Sequence, residues 1–600
     1  MRIYEDLRVV QHRLAVLQAL AIVLVAALLV QFWNLQVVRA RHFRGLAENN
    51  RSRLVNLAAP RGALLDRRGR VLVGNRPSFN VVLNAEHSEG LDRTVTRLAE
   101  TLSIGEAAIR ERLARRQPYR PVVLKSDASL GDVAALEARR LELPEVSVEV
   151  VPLRSYPLAA AAAHALGRVG EITDRQQQLP EYQALAPGSL VGQAGVEYRY
   201  NRQLMGRDGY RRVIVNSHGL EMSEADRQPP EDGPSLTLTI DADLQAAIEK
   251  VFAGRAGAAV ALDPMSGEIL AMASTPAYDP NNFTTGIEPA LWSALAGDPQ
   301  TPLINRVIQG VYSPGSTFKL IASTAALEEG VITPSTTFFC PGQITLYGNV
   351  FHCNRAGGHG TLDLTGAIAN SCNVYFYNVG VRLEIQRLSK WARTMGLGAP
   401  TGVDLPHEVS GLMPSPEWKQ RVFHTPWYAG ETVSVAIGQG QVSATPLQMA
   451  RVAAVIANGG RLVRPHLVRG APDSEPVTLG IKPETIDAVK AGMRAVVASG
   501  TGWRARLETI AVAGKTGSAQ VVAKARLEKT PNAEEILPHG WFVCFAPADR
   551  PTIAMAVLVE HGRSGMDSAA PVAHEILSRW FGLNRPPPDA SVVAPTQAED

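Results

Sequence analysis

The sequence predicts an α+β protein in which a single membrane-spanning helix precedes two folded parts. Residues 14–38 contain no charged side chain, and a run of this length can cross a bilayer as a helix. Residues 37–230 mix short strand-like and helical segments, whereas residues 231–583 have strand hairpins at both ends and helices between them. The second pattern favours an antiparallel sheet packed against a helical subdomain.

Length, composition and charge exclude several classes of protein. The 600 residues exceed what one hydrophobic core usually supports, so we expect more than one domain. With 46% hydrophobic and 20% charged residues, the chain has the composition of a folded protein. Its 60 basic and 57 acidic residues nearly balance, which argues against nucleic acid as a partner, because nucleic-acid-binding proteins normally have a basic face.

The uncharged N-terminal run predicts a retained membrane anchor at residues 14–36, with residues 1–13 in the cytoplasm. Phe32 and Trp33 lie where aromatic residues meet the membrane–water interface. The alternative is a cleaved signal peptide, whose apolar core would be shorter and whose cleavage site would need small residues, which Val38-Arg39-Ala40 supplies poorly. Arginines flank the run on both sides, so the local charges do not fix its orientation.

Residues 37–230 read as a mixed α+β segment that ends at a cluster of prolines and glycine in 229–234. We expect strands at Ser78–Leu83 and Val146–Val151 and a helix at Val133–Leu141. At the other end of the chain, residues 584–600 begin near three consecutive prolines and are polar, which predicts a disordered tail.

Within residues 231–583 the local signals are clearer. Two hairpins are predicted, Ala258–Leu262 with Glu268–Ala273 and Trp541–Ala546 with Thr552–Val559. A helix is predicted at Pro446–Asn458, because Thr445 is a good N-cap, Gln448 completes a capping box and Gly459 can end the helix.

The first motif with catalytic potential is Ser316-Thr317-Phe318-Lys319. The run that follows is helical in pattern as far as Gly330, so Ser316 would open a helix and place Lys319 on the same face. A serine hydroxyl becomes a nucleophile when a neighbouring base takes its proton, and a lysine can be that base when its pKa is depressed. The alternative is an exposed helix start with a solvated lysine.

Two further motifs carry hydroxyl, amide and amine groups. Ser371-Cys372-Asn373 follows a helical stretch at Leu362–Asn370, and its hydroxyl could relay protons while its amide orients a lysine and a substrate carbonyl. Lys515-Thr516-Gly517-Ser518 lies in an apolar stretch, Thr509–Val522, that predicts a strand; its lysine and hydroxyl could hold a carboxylate. Taken singly, these motifs could also be an ordinary polar loop and an ordinary strand.

Together the three motifs resemble a known family. S-x-x-K, S-x-N and K-T-G, in this order, are the signature of penicillin-binding proteins and class A β-lactamases. The upstream segments Asn49–Arg51, Ala59–Gly62, Asp66–Gly69 and Gly192–Tyr200 are similar to the N-terminal pedestal of class B penicillin-binding proteins. Within class B the chain most resembles the penicillin-binding protein 2 group, and the resemblance covers nearly its whole length.

The resemblance implies a penicillin-binding, serine β-lactamase-like transpeptidase fold at 231–583 and an elongated pedestal, of the dimerisation-domain type, at 37–230. Ser316 would attack the D-Ala-D-Ala carbonyl, Lys319 would accept its proton, Ser371 would pass a proton to the leaving amine and Asn373 would position the donor peptide. The substrate-binding residues would be Lys515, Thr516, Gly517 and Ser518, and the N–H groups of Ser316 and Ser518 would form an oxyanion hole.

The implied function is a peptidoglycan D,D-transpeptidase that crosslinks stem peptides through an acyl-enzyme during cell elongation and rod-shape maintenance, and that β-lactams inhibit covalently. Its place would be the bacterial inner membrane, as a single-pass protein with the catalytic domain in the periplasm. The implied partners are a RodA-type membrane glycosyltransferase, other proteins of the elongation complex and the stem peptides of lipid II and peptidoglycan.

Alternatives from other classes remain at this point. A β-lactamase would need a base that activates water for deacylation, and the motifs identify none. A non-enzymatic, membrane-anchored sensor or scaffold would be acylated without crosslinking anything. A bifunctional polymerase is disfavoured, because residues 39–230 contain no recognisable glycosyltransferase signature.

A metal site is predicted between the first and second motifs. Cys340, Cys353, His359 and Cys372 offer three thiolates and an imidazole, a set suited to tetrahedral zinc in a structural role. The alternative is a Cys340–Cys353 disulfide, which would leave one thiol of the cluster unpaired and give His359 no role. The resemblance adds weight, because some elongation-type penicillin-binding proteins carry zinc at the matching place.

Overall fold

A computed structural model describes residues 7–41, 43, 52–83, 91–114, 121–143, 145–183, 185, 188–215, 221–470, 475–521 and 537–583. The predicted tail at 584–600 and the Asn49–Arg51 segment lie outside the described residues. Two compact units are present. The first comprises the described residues of 1–60, 77–152 and 206–232, and the second those of 61–76, 153–205 and 233–600.

The described residues form strands of 2 to 13 residues, of which β3 is the longest. In chain order they are β1 (Ser52–Leu57), β2 (Leu64–Leu65), β3 (Val71–Leu83), β4 (Val122–Lys125), β5 (Val146–Ser155), β6 (Arg168–Glu171), β7 (Leu190–Ala194), β8 (Gly209–Val215), β9 (Glu221–Gln228), β10 (Leu236–Thr237), β11 (Gly257–Leu262), β12 (Ile269–Thr275), β13 (Phe338–Cys340), β14 (Gln343–Leu346), β15 (Asn349–His352), β16 (Gly360–Leu362), β17 (Arg461–Leu462), β18 (Val477–Thr478), β19 (Ala513–Ala519), β20 (His539–Ala546) and β21 (Ile553–Val559).

The helices concentrate in the second unit. In chain order they are α1 (Leu7–Trp33), α2 (Leu91–Leu102), α3 (Glu106–Ala114), α4 (Leu130–Ala138), α5 (Ala163–Leu166), α6 (Asp174–Gln177), α7 (Gly195–Arg199), α8 (Asn201–Leu204), α9 (Ala242–Phe252), α10 (Pro289–Gly297), α11 (Lys319–Glu328), α12 (Leu364–Ala369), α13 (Asn373–Thr394), α14 (Pro416–Phe423), α15 (Ala429–Val435), α16 (Pro446–Ala457), α17 (Pro483–Ala498) and α18 (Ala570–Trp580), with 3₁₀ turns at Pro280–Phe283, Gly315–Phe318 and Trp503–Ala505 and π-helical turns at Asn34–Val38 and Gly565–Ala569.

The N-terminal helix fits a single-pass membrane anchor. Val10–Val38 is continuously helical with a mean hydropathy of 2.6, and its large apolar side chains are exposed. Among the described residues no other helix is both long enough and apolar enough to span a bilayer.

The first unit has a three-stranded antiparallel sheet in the order β1-β8-β9 and a pairing of β3 with β4. Its core includes Val81, Leu83, Leu98 and Leu124. The predicted helix at Val133–Leu141 begins three residues earlier, because Ser129 caps α4 through a capping box with Asp132.

The second unit contains a five-stranded antiparallel sheet in the order β12-β11-β21-β20-β19. Both predicted hairpins are confirmed as β11–β12 and β20–β21. The strand that carries Lys515 lies at the edge of this sheet and pairs with β20 alone, Lys515 opposite Val543. A peptide can therefore add to the sheet beside β19.

Helices pack on both faces of this sheet: α9 and α18 cover one face, and α11, α13 and α16, on the other, belong to the predicted helical subdomain. The helix at Pro446–Ala457 is confirmed, and Thr445 and Gln448 form the expected capping box. Helix α11 packs against α13, which begins at Asn373. The α+β fold class is thus confirmed. The compact units place 61–76 and 153–205 in the second unit, and the expected domain boundaries at 37–230 and 231–583 stay a prediction.

Candidate active site

The predicted nucleophile lies in a tight turn that opens a buried helix. Ser316 is in the 3₁₀ turn Gly315–Phe318, and α11 continues directly from Lys319. Gly315 has φ +54°, and a Cβ there would lie 2.5 Å from the carbonyl oxygen of Ser518. Only glycine accommodates this approach, which seats the turn against the edge strand β19.

Lys319 is fully buried and held by the second motif. Its Nζ lies 2.7 Å from the carbonyl oxygen of Ser371, 3.3 Å from Ser371 Oγ and 2.7 Å from Asn373 Oδ1. Burial lowers the pKa of Lys319 to about 7, although the charges of Cys372 and Cys353 oppose the shift. An amine with this pKa is partly neutral near pH 7 and can accept a proton.

Lys515 reaches the same hydroxyl from the other side. Its Nζ lies 2.9 Å from Ser371 Oγ and 2.9 Å from the carbonyl oxygen of Thr516. Burial, together with the charge of Lys319, lowers the pKa of Lys515 well below its usual range. The structure therefore brings all three sequence motifs together, with the Ser371 hydroxyl between two amines.

Three residues that contact these motifs were not predicted from the sequence: Thr501, Gln439 and Gly438. Thr501 Oγ1 lies 2.6 Å from Thr516 Oγ1, and Gln439 Nε2 donates to the carbonyl oxygen of Ser518 over 3.0 Å. The Gly438 carbonyl accepts bonds from Gly315 N and Ser313 Oγ. The run Gly438-Gln439-Gly440 was the available signal, because closely spaced glycines mark a turn that can approach another backbone.

A cluster of hydrogen-bonded, largely buried side chains, Arg306, Tyr312 and Glu560, packs next to the turn that contains Ser316. Tyr312 Oη donates to Glu560 Oε1 over 2.6 Å, and Arg306 Nε donates to the same oxygen over 3.0 Å. Burial alone would raise the pKa of Glu560, but these bonds outweigh it and lower that pKa. Trp541 Nε1 also donates to the Ser313 carbonyl over 3.0 Å. These contacts fix the chain immediately before Ser316.

The four predicted metal ligands come together beside the second motif. One ligand atom from each of Cys340, Cys353, His359 and Cys372 lies within 4.8 Å of the others. All three cysteines are free thiols, so the alternative Cys340–Cys353 disulfide is not formed.

The spacing of these atoms allows a test of fit. Cys353 Sγ lies 3.8 Å from Cys372 Sγ, and His359 Nδ1 lies 3.6 Å from Cys340 Sγ and 3.5 Å from Cys353 Sγ. Tetrahedral zinc with ordinary bond lengths separates two sulfurs by about 3.8 Å and a sulfur from a nitrogen by about 3.6 Å. The residues fit a zinc ion, whose presence stays a prediction.

Comparisons with known proteins agree with this fold. Residues 257–578 match the family model "Penicillin binding protein transpeptidase domain", and residues 56–238 match "Penicillin-binding Protein dimerisation domain". Peptidoglycan D,D-transpeptidase MrdA of Acinetobacter baumannii is 35% identical, over 96% of this chain and 89% of that protein.

Two solved structures are similar over most of their length. A complex between PBP2 and MreC from Helicobacter pylori matches with a TM-score of 0.79 and 29% identity, over 89% of this chain and 99% of that one. A structure described as "Structural coordination of polymerization and crosslinking by a peptidoglycan synthase complex" matches with a TM-score of 0.71 and 32% identity, over 96% and 99%.

The fold and the three convergent motifs define a penicillin-binding transpeptidase, a class of serine enzyme. The matches extend through the dimerisation domain as well, which a β-lactamase would not need. The chain belongs to the family of peptidoglycan D,D-transpeptidases of cell elongation that includes MrdA, also called penicillin-binding protein 2.

Proposed function

We propose that Ser316 is the nucleophile of this D,D-transpeptidase and that Lys319 is its general base. The observation that carries the proposal is the lysine: it is buried, its pKa is lowered to about 7, and it follows Ser316 by three residues in one continuous helical segment. Ser316 Oγ attacks the carbonyl of the penultimate D-Ala, and its proton passes to Lys319 Nζ.

The second and third motifs would complete acylation. Ser371 Oγ, in reach of both lysines, carries a proton to the nitrogen of the terminal D-Ala as the peptide bond breaks. Asn373 holds the donor peptide, and Lys515 with Thr516 binds its terminal carboxylate. Gly517 leaves room for the substrate backbone, while the N–H groups of Ser316 and Ser518 stabilise the developing oxyanion, each by about 2.7–4 kcal/mol.

Crosslinking would follow from the acyl-enzyme. The amine of a neighbouring stem peptide attacks the ester carbonyl, loses its proton to the Lys319–Ser371 pair and releases Ser316. A β-lactam forms the same ester with Ser316 but keeps its leaving group attached through the opened ring, so the acyl-enzyme persists.

Fluorescent penicillin tests the nucleophile. The full chain should be labelled, and Ser316→Ala should abolish labelling, whereas Ser499→Ala, at an exposed serine on the C-terminal side of α17, should keep it. Labelling that survives Ser316→Ala would contradict the assignment. Rapid turnover of a chromogenic cephalosporin would instead support the β-lactamase alternative.

We also propose that Cys340, Cys353, His359 and Cys372 hold one structural zinc ion. Four protein ligands leave no open position for water, so the metal would stabilise the fold and take no part in the reaction. Cys372 lies between Ser371 and Asn373, which means that the bound ion would fix the loop beside Lys319.

Elemental analysis tests the metal. Protein purified without chelator should contain about one zinc per chain, and Cys353→Ser should lose it. Cys544→Ser is the matched control, because this buried thiol lies in β20 outside the cluster. Intact-mass data showing a Cys340–Cys353 disulfide without metal would contradict the proposal.

We further propose that the protein is a single-pass protein of the inner membrane with its catalytic domain in the periplasm, and that a RodA-type glycosyltransferase polymerises lipid II for it. The similar structures support such partners: one contains MreC and another is called a peptidoglycan synthase complex. The anchor and the described residues of 37–230 would form the contact.

Reconstitution tests the partnership. The purified chain alone should not polymerise lipid II, and with a RodA-type protein it should yield crosslinked strands that Ser316→Ala leaves uncrosslinked. Polymerisation of lipid II by the chain alone would contradict the proposal that a separate glycosyltransferase makes the strands. Protease added to the periplasmic side of spheroplasts should cleave the catalytic domain, and complete protection would contradict the orientation.

A further inference from the structure

A cavity of ≈ 340 Å³ lies along α13, beginning seven residues after Asn373. The hairpin β14–β15 borders it with Tyr347; Trp427, two residues before α15, and Thr432, within α15, border it from another side. Its floor is α13, from Gly380 to Glu384. No step of the proposed reaction uses this cavity.

The cavity is connected to the active site through α13. Asn373, at the start of this helix, donates to the His352 carbonyl, and Tyr377 Oη donates to the same oxygen over 3.0 Å. These bonds hold the hairpin against the helix. Seven to eleven residues separate Asn373 from the floor of the cavity, a distance of about 10–16 Å along the helix axis.

The lining combines aromatic faces with polar groups. The Tyr347 side chain is 55% exposed, and the Trp427 ring is held by a bond of 2.9 Å from its Nε1 to Thr432 Oγ1. Glu384 and Gln386 add a carboxylate and an amide. Aromatic faces cover the C–H surfaces of a pyranose, while carboxylate and amide groups bond its hydroxyl and acetamido groups.

The backbone adds an unusual feature at the same place. Glu384 interrupts α13 with φ 60° and ψ 163°, a region that is favourable essentially for glycine alone. Its side chain is exposed. Glu384 is one of the residues that line the cavity, so the strained backbone is part of the cavity wall.

We propose that this cavity binds a sugar of the glycan strand that carries the donor stem peptide, an inference that rests on the proposed transpeptidase reaction. A five-residue stem peptide has four residues between the sugar and the scissile carbonyl, which span about 13–14 Å when extended. This length matches the distance along α13 from Asn373, which holds the donor peptide in the proposed reaction, to the floor of the cavity. The peptide itself would add beside the edge strand β19, which contributes no residue to the cavity.

Competition against penicillin tests the proposal without requiring turnover. The full chain in detergent is acylated by fluorescent penicillin in the presence of either a free stem pentapeptide or the same pentapeptide on an N-acetylglucosamine–N-acetylmuramic acid disaccharide. The sugar-bearing peptide should protect at a concentration about three- to tenfold lower than the free peptide, the gain expected from aromatic contacts. Each variant is compared with its own rate without competitor.

Tyr347→Ala and Trp427→Leu should remove this advantage. Val350→Ala is the matched control, because Val350 is an exposed residue of the same hairpin that does not line the cavity, and it should keep the advantage. Equal protection by the two peptides in the unchanged protein, no protection by the sugar-bearing peptide, or an advantage retained in both variants would overturn the proposal. Labelling that survives Ser316→Ala would overturn the nucleophile assignment separately.

Discussion

At the scale of single residues, the catalytic competence of the site depends on the protonation of Lys319. The amine must be neutral to accept the Ser316 proton, and burial lowers its pKa to about 7. We expect the rate of penicillin acylation to rise with pH through about 7 and to level off above it. The second-order acylation rate constant from about pH 5.5 to about pH 9 checks this. A flat profile, or activity in Lys319→Arg, whose guanidinium stays charged, would contradict it.

Tyr312 illustrates a residue that acts through its neighbours. Tyr312→Phe removes the bond to Glu560 Oε1, and bonds to charged groups contribute about 1.5–3 kcal/mol. We expect the free energy of unfolding to fall by about that amount, and acylation to slow because the chain before Ser316 loses support. Denaturant unfolding and labelling kinetics measure both effects. Tyr428→Phe, at an exposed tyrosine, is the control that should change neither.

At the scale of secondary-structure elements, α13 is the informative case because of its interruption at Glu384. Glu384→Gly should raise the free energy of unfolding by about 1 kcal/mol. Glycine relieves a backbone strain of about 1–3 kcal/mol, but part of this gain is lost because glycine gives up more conformational entropy on folding than glutamate does. Glu384→Ala keeps a Cβ and should not stabilise the protein. Thermal unfolding of both variants is the measurement, and equal stability of the two would show that φ at this position carries no strain.

Elements were predictable from sequence where their signals are local. The helix at Pro446–Ala457 has its cap, its first-turn proline and its closing glycine within the segment, and both hairpins have alternating or apolar runs around a turn. The interruption at Glu384 has no local signal, because no glycine or proline marks it. The contact of Ser371 with Lys319 and Lys515 spans 52 and 144 residues; the sequence suggested it only through the family resemblance.

At the scale of the whole molecule, segments distant in the chain are joined by buried charges. Arg61, from the upstream segment Ala59–Gly62, donates to Glu197 Oε2 over 2.7 Å, and Arg154 Nε donates to Glu197 Oε1 over 2.6 Å. The side chains of Glu197 and Arg154 are 0% and 1% exposed. Two of the four sequence segments that suggested a pedestal, Ala59–Gly62 and Gly192–Tyr200, are therefore joined by an ion pair within the second compact unit, which spacing alone could not predict.

Removing the negative charge of Glu197 should lower the free energy of unfolding of the second unit. Glu197→Gln keeps the shape of the side chain but leaves two buried guanidinium groups without a counter-charge, and breaking a buried ion pair in this way costs about 3–5 kcal/mol. Glu268→Gln is the matched control: its ion pair with Arg67 is longer, at 3.5 Å, and partly exposed, so its loss should cost less than about 1 kcal/mol. Retention of penicillin labelling after graded heating reports the stability of the catalytic domain. If Glu197→Gln and Glu268→Gln lose labelling at the same temperature, the buried cluster does not hold these segments together.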